Sequence, residues 1–341
     1  MLLEEACAKK DFGTMIQVCV NAPFIHFGFF MTTMLLRNRR GKPSINDDLE
    51  KAHASFQQAI QSSVRIQLLC NWTTSEELTR YWTKMLPPTS KISFVTSQPD
   101  CWVILNAPPS NAVFDPKKSI VFQMEPHMDK NTHWGKWGSP DPTQFLQVFT
   151  HKKGVNPLEW HLGKTYKQLM EQPIQKTEDF SLSTILSSKY NDEGHRKRVD
   201  FIKYIENKLP VHVYGEDAFH YRNYKGSLPY HEKENGLFPY KYTFNAENHS
   251  IPNYCTEKII DAILSECVCF YWGCPNLETI LHPECFIRLS LTNVDEDANR
   301  ILKAIEQDEW SQRIDIIRQE KRRILTDLQF TVQLEKLFKV V

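Results

Sequence analysis

Residues 242–258 read Y-T-F-N-A-E-N-H-S-I-P-N-Y-C-T-E-K, and the fold turns on how they are read. The head of the stretch, Tyr240 to Asn245, predicts a strand. Beyond its tail, Ile259, Ile260, Ile263 and Leu264 share one helical face. Between the two lies a loop dense in polar groups. Pro252 and Thr256 mark a helix start, with the Thr256 hydroxyl placed to cap it. A helix N-terminus offers free N–H groups and the positive end of a dipole, which suits phosphate. Lys258 adds a full charge one turn in. Glu257 repels phosphate, so it faces another group, and a ribose with two hydroxyls is a natural partner. The plain alternative is a helix start carrying a solvated Glu-Lys pair.

Working outward, the pattern on both sides is strand, helix, strand. Toward the C-terminus come a strand over Cys267–Trp272, ended by Gly273-Cys274-Pro275, another over Phe286–Leu289, and a helical tail from Asp297. Toward the N-terminus, Val211–Tyr214 is a strand ending at Gly215. Arg196–Leu209 is a helix with Phe201, Ile202, Ile205 and Leu209 on one face, and Thr184–Ser187 is a strand. The polar stretch Gln168–Ser183, with Pro173, predicts an interdomain linker. Before it lies a second set: strands at Val64–Leu69, Ile92–Val95, Trp102–Leu105, Ser119–Met124 and Phe145–Phe149, with a helix over Thr74–Leu86 stopped by Pro87-Pro88. Residues 1–62 predict a helical extension, broken by Pro23 and Gly41-Lys42-Pro43, with Ser44–Ile60 as a capped amphipathic helix. The expected class is α/β: two consecutive domains with mainly parallel sheets, their ligand beyond the carboxyl ends of the strands.

Bulk properties narrow the function. At 341 residues the chain suits two domains. Lys+Arg and Asp+Glu both count 41, so no cationic excess marks it as a nucleic-acid binder. Nine cysteines, an odd number scattered through strand-like and helical runs, read as buried reduced thiols. Cys267, Cys269 and Cys274 lack a second Cys or His pair at structural-zinc spacing, so no metal site is expected. Glu4-Glu5 directly after Leu2-Leu3 is unlike a signal peptide. The apolar run Ala22–Leu36 falls short of the roughly 20 residues that span a bilayer. Arg37-Asn38-Arg39-Arg40 after it reads as a solvated helix end, which would also suit a membrane surface, so residues 22–40 are the place for any membrane association. The expectation is a soluble, cytoplasmic protein.

Missing motifs exclude other chemistries. No G-x-G-x-x-G follows a strand, which disfavours a dinucleotide oxidoreductase. Gly163-Lys164-Thr165 ends like a phosphate loop, but Leu158 stands where its first glycine belongs. There is no G-x-S-x-G elbow.

Two further residues carry candidate chemistry. Glu125 follows the strand Val121-Phe122-Gln123-Met124 and precedes Pro126. A carboxylate at a strand's carboxyl end can take a proton from a hydroxyl if partial burial raises its pKa; the alternative is an exposed loop acid. Arg198 closes the cluster His195-Arg196-Lys197-Arg198 at a predicted helix start. Cations there oppose the dipole and invite an anion; the alternative is a solvated basic face.

The run Phe244-Asn245-Ala246-Glu247-Asn248, followed by Tyr254-Cys255-Thr256-Glu257-Lys258, resembles the signature of the α-1,3/4-fucosyltransferases of glycosyltransferase family 10. That signature reads F-x-x-x-F-E-N, a short spacer, then D-Y-(V/I)-T-E-K. Ala246 replaces the aromatic before Glu-Asn, and Asn253 stands at the Asp position. Ser187-Ser188, Arg198-Val199 and Val213-Tyr214-Gly215 resemble the family's S-N…R-V…Y-G segment. Tyr271-Trp272-Gly273-Cys274-Pro275 is similar to its W-G-S-P or L-G-P turn, and Gln123-Met124-Glu125-Pro126 to the segment of its catalytic Glu.

The resemblance implies a GT-B fold, two Rossmann-like domains facing a cleft. The acceptor domain would be 63–172, the GDP-sugar donor domain 173–300 and C-terminal helices 301–341. It implies inverting transfer of L-fucose from GDP-β-L-fucose to a hydroxyl, O3, of a glycan acceptor, as in protein glycosylation. Glu125 would be the general base. Arg198 and Lys258 would hold the pyrophosphate and Glu257 the ribose. Asn248 and Tyr254 would line the donor pocket, with Glu247 and Thr256 in the same donor-binding set. Two protein cations can do much of a metal's work on the leaving group, so no cofactor or essential metal is expected. The acceptor is expected near the loop after Glu125, at His127, His133, Trp134 and Trp137, since aromatic faces suit sugar rings; the two tryptophans would equally suit a core. Animal and plant members of the resembled family carry a Golgi membrane anchor, and no convincing one is read here. Two rival readings remain: another nucleotide sugar in the same fold, or a non-catalytic glycan-binding relative.

Overall fold

The computed structural model describes residues 63–126, 134–229 and 232–338, apart from the side chains of 179–181. The expected extension 1–62, the run 22–40, His127 and His133 lie outside the described residues.

The first sheet contains β1 (Val64–Leu69), β2 (Ile92–Phe94), β3 (Cys101–Leu105), β4 (Ser119–Gln123) and β5 (Gln147–Thr150). All pairings are parallel, in the order β2-β1-β3-β4-β5. Val64, Ile66 and Leu68 of β1 enter the core, while Arg65 points out to Asp100 at 3.1 Å. β4 is buried along its whole length, as a parallel sheet covered on both faces requires. Helix α1 (Ser75–Trp82) follows β1, with the Thr74 side chain accepting from the Glu77 N–H as its cap.

The second sheet contains β6 (Glu178–Leu186), β7 (Val211–Gly215), β8 (Tyr224–Gly226), β9 (Tyr240–Ala246), β10 (Val268–Trp272) and β11 (Phe286–Arg288). It is also all parallel, in the order β11-β10-β9-β6-β7-β8. Its long helices are α3 (Glu193–Ile205), α4 (Glu257–Leu264), α5 (Val294–Glu306) and α6 (Glu309–Arg323), and α2 (Tyr166–Glu171) precedes them in the chain. Strand order reverses between β1 and β3 in one sheet and between β6 and β9 in the other. Crevices open at the carboxyl ends of such switch points.

The interdomain stretch differs from its sequence reading. Gln168–Ser183 is not a linker throughout: α2 takes its first residues, and β6 begins at Glu178, well before the expected Thr184. Polar residues disguised the strand. Ser183 Oγ donates to Tyr242 O at 3.4 Å and Thr184 Oγ1 to Phe244 O at 3.0 Å, so both are satisfied inside the sheet.

The tail also divides. After α6 a π-turn, Ile324–Leu328, leads into α7 (Phe330–Phe338), which returns to the first sheet. The Phe330 ring meets Trp82 edge-on at 4.2 Å, and Gln329 and Thr331 both donate to Met85 O at 3.2 Å. The last helix therefore packs with the first domain. The seven described cysteines are buried and free. Among the described residues no helix is long and apolar enough to cross a membrane.

Candidate active site

The loops after β1, β3, β4, β5 and β9 line one cleft of about 920 Å³. Trp72, Asn106, Met124, Glu125 and His151 face it from the first domain, and Asn248, Tyr254, Glu257 and Lys258 from the second.

Glu125 is fixed by the residues around its strand end. Its N–H donates to Gln123 Oε1 at 3.0 Å, and Gln123 Nε2 donates to Trp137 O at 2.6 Å. Asn106 Oδ1 accepts from Met124 N at 2.7 Å, and Asn156 Nδ2 donates to Gln123 O at 2.8 Å. These bonds hold the turn in place, and the Glu125 carboxyl faces the cleft. Burial raises its pKa above the ordinary carboxylate value, against the pull of Lys258 and Lys189.

Opposite it, the loop between β9 and α4 is built on Glu247, which is fully buried. Its carboxylate accepts from Thr256 N at 2.9 Å, Thr256 Oγ1 at 2.7 Å and Tyr271 OH at 3.2 Å. Lys258 Nζ lies 3.3 Å away. Two glycines let backbone approach it. A Cβ on Gly194 would sit 1.7 Å from Glu247 O, and one on Gly273 2.4 Å from Glu247 Cγ. Glu247 was expected among the donor-binding residues; the structure instead encloses it behind the loop, with both oxygens taken by its neighbours.

Thr256 caps α4 as expected, accepting from Lys258 N, and Lys258 Nζ donates to its hydroxyl at 3.0 Å. The Glu257–Lys258 pair is not solvated: its partners are 3.4 Å apart, with side chains 15% and 20% exposed. Lys233 Nζ adds a second cation 3.4 Å from Glu257 and 3.3 Å from Asp261. Burial opposes ionisation of Glu257, but Lys258, Lys233 and His161 outweigh it and hold its carboxyl well below the usual range. Burial likewise opposes the charge on Lys258, and Glu257 and Glu247 overcome it and raise its pKa. The turn therefore presents a permanent cation and a permanent anion to the cleft.

Arg198 lies one layer back, 6% exposed. Its Nη2 donates to Ser187 Oγ at 3.0 Å and Nη1 to Asn248 Oδ1 at 3.4 Å; its buried Nε has no hydrogen-bond partner among the described residues. Burial lowers its pKa, with Glu247 and Glu257 opposing. The rest of the basic cluster is engaged elsewhere. Helix α3 starts with Asp192 and Glu193, not with cations. Arg196 bonds Asn191 O, Lys197 reaches Leu291 O at 3.2 Å, and His195 completes a capping box with Asp192. The anion argument therefore narrows to Arg198.

The acceptor expectation is corrected in part. Trp137 packs into a small satellite core with Phe114 and Phe145, ring centroids 6.5 and 5.9 Å away. Neither it nor Trp134 lines the cleft. Two tryptophans do: Trp82, which is 3% exposed in the core beneath, and Trp72, just past β1 and 48% exposed.

Sequence reading also missed Lys233, His151, Glu159 and His161. Glu159 faces the cleft near Glu257 and Asp261, and burial together with those two carboxylates pushes its pKa up to about 8. Asp261 is pushed up to about 6, first by burial. For His151 a signal existed: it stands two residues past the expected strand Phe145–Phe149, close to the position Glu125 holds after the neighbouring strand.

Residues 177–313 match the family model for the C-terminal part of glycosyltransferase family 10 (fucosyltransferase). A 75-residue stretch is 36% identical to the α-(1,3)-fucosyltransferase FucT of Helicobacter pylori, covering 21% of this chain and 16% of that protein. The match thus spans well under a quarter of that relative. Among solved structures, an α-glucosyltransferase in complex with UDP and a 13-mer DNA containing an HMU base superposes with a TM-score of 0.51 at 11% identity, over 81% of this chain and all of that one. That likeness is one of fold, two parallel sheets facing a cleft in the GT-B manner. An α1,3-fucosyltransferase superposes with a TM-score of 0.49 at 17% identity, over 75% of this chain and 81% of that chain.

Proposed function

We propose, from residues 177–313 as a glycosyltransferase family 10 C-terminal domain, that this protein transfers L-fucose from GDP-fucose to a glycan hydroxyl with inversion. The observation that carries the reading is the pairing across the cleft. A half-buried carboxyl with a raised pKa, Glu125, faces the capped helix start that presents Lys258.

In this reading the acceptor hydroxyl, at O3 of its sugar, attacks the anomeric carbon from the face opposite the nucleotide. Glu125 takes its proton. Negative charge grows on the departing diphosphate. Lys258, Arg198 and the N–H groups of α4 oppose that charge more in the transition state than before it, which is what accelerates the step. Arg198 brings an Nε–H that has no partner among the described residues and, through Asn248, a link to the cleft wall. Glu257 receives the ribose hydroxyls, and Tyr254 closes the pocket. These cations take the leaving-group role without an essential metal, so EDTA should leave transfer unchanged. The acceptor ring rests on Trp72, the exposed aromatic of the first domain's rim.

A panel of radiolabelled nucleotide sugars offered with a glycan array tests this. GDP-fucose should saturate the enzyme and label a glycan. Saturation by another sugar nucleotide but not by GDP-fucose would overturn the donor. Binding of glycan with neither transfer nor slow GDP-fucose hydrolysis would overturn the enzyme reading.

A further inference from the structure

We propose that His151 is a positioning residue: it straps the strand end that carries Glu125 to the donor loop that carries Tyr254. The role rests on the fucosyl-transfer reading above.

His151 sits just past β5 and is 4% exposed. Its Nδ1 is 2.8 Å from Asn253 O and its Nε2 is 3.0 Å from Met124 O. Those carbonyls belong to the residues immediately before Tyr254 and Glu125. The bond is returned: Asn253 Nδ2 donates to His151 O at 3.0 Å. The ring also meets Tyr254 edge-on, centroids 5.0 Å apart at 88°. One side chain therefore fixes the spacing between the two halves of the cleft.

The bonding pattern selects a tautomer. Two carbonyls face two ring nitrogens, and a neutral imidazole has one N–H. Asn156 Nδ2 lies 3.2 Å from Nε2 and can donate to it. The shorter contact and this second donor place the proton on Nδ1, aimed at Asn253 O. Nε2 therefore accepts from Asn156 Nδ2 and packs against Met124 O without bonding it. Asn156 Nδ2 also donates to Gln123 O at 2.8 Å, and through it His151 holds the strand end that carries Glu125. Burial lowers the His151 pKa, which agrees with a neutral ring.

Asn253 is fitted to the partnership. Its φ is +65°, a left-handed turn that Asn tolerates. Its amide supplies the donor to His151 O. The Asp of the resembled motif has no N–H to give, so this reciprocal bond belongs to the Asn found here.

Four variants test the strap, with fucosyl transfer and GDP affinity measured on each at equal folded fraction. His151→Ala should lower kcat about 100-fold, the scale of a displaced catalytic group, and weaken GDP binding severalfold. His151→Asn keeps an amide near the Nδ1 position and should restore GDP binding but not kcat. His151→Gln keeps one near Nε2 and should restore neither fully. Asn253→Asp leaves the imidazole in place and should lower kcat about 10-fold. Wild-type kcat in His151→Ala, or indistinguishable Asn and Gln variants, would overturn the strap. A long-range 1H–15N spectrum of the imidazoles, assigned with His151→Asn, should show the Nδ1–H tautomer. An Nε2–H tautomer would also overturn it. GDP affinity and this spectrum do not depend on transfer, so an inactive wild type would refute the function reading alone.

Discussion

Thr256 donates twice to the buried carboxylate of Glu247, once from its backbone N–H at 2.9 Å and once from its hydroxyl at 2.7 Å. Together with Tyr271 OH these bonds anchor the first turn of α4, and that turn aims Lys258. Glu247→Ala should leave the Thr256 N–H, its hydroxyl and Tyr271 OH without their acceptor and Lys258 with Glu257 alone, and cost about 3–5 kcal/mol. Thermal unfolding should fall by roughly 10 °C. Glu247→Gln, which keeps an acceptor oxygen, should lose less. An unchanged melting temperature in the alanine variant would refute the anchoring role.

Glu125→Gln should lower kcat about 10²–10⁴-fold, the usual range for a general base. GDP affinity should change little, because the donor contacts lie across the cleft. The acid limb of the wild-type kcat/KM profile should fall above the ordinary carboxylate pKa, since burial raises that of Glu125. Rate against pH, with GDP titration of the variant, checks both.

Glu159 should make the protein less stable in alkali. Its folded pKa, about 8, exceeds the ordinary 4.5, so the folded state holds a proton that the unfolded chain has released. Stability then falls as pH rises from about 4.5, and the loss is complete once pH has passed about 8. Glu159→Gln cannot ionise. Its melting temperature should match or trail wild type at pH 4 and exceed it by at least about 2 °C at pH 8.5. A constant difference across that range would contradict the assignment.

The two tryptophans should separate cleanly. Trp137→Ala opens a cavity against Phe114 and Phe145 and loosens the support of Gln123, so stability should fall by about 3 kcal/mol. Trp72→Ala should leave unfolding within about 0.5 kcal/mol, as an exposed site does. In transfer assays it should raise the acceptor KM with little change in the GDP-fucose KM. The opposite pattern would return the acceptor to the loop after Glu125.

Much of this was legible in the order of residues. Apolar runs such as Val268–Trp272 read as strands because they are short, rich in aromatic and β-branched side chains, and bounded by Gly273 and Pro275. The Thr256 cap and the Glu257–Lys258 turn were readable because capping is local. The first part of β6, Glu178–Ser183, was misread because a polar residue such as Ser183 takes its partner from a strand some sixty residues away. The basic cluster was over-read because composition cannot say which cation faces inward: His195 and Arg196 are held by the flank of their own helix, and Lys197 by Glu193 and by Leu291 O from a distant loop.

The sequence by itself therefore determined the strands, the helix start and the residue types able to hold a nucleotide diphosphate. Each depends on neighbours within a turn or two of chain. Only the tertiary structure decided that Glu247 is an anchor, that Trp72 and not Trp137 faces the cleft, and that His151 bonds Asn253, 102 positions away, while Asn156 ties its ring to the end of β4. Burial and long-range pairing assign those roles, and both arise when the two sheets come together.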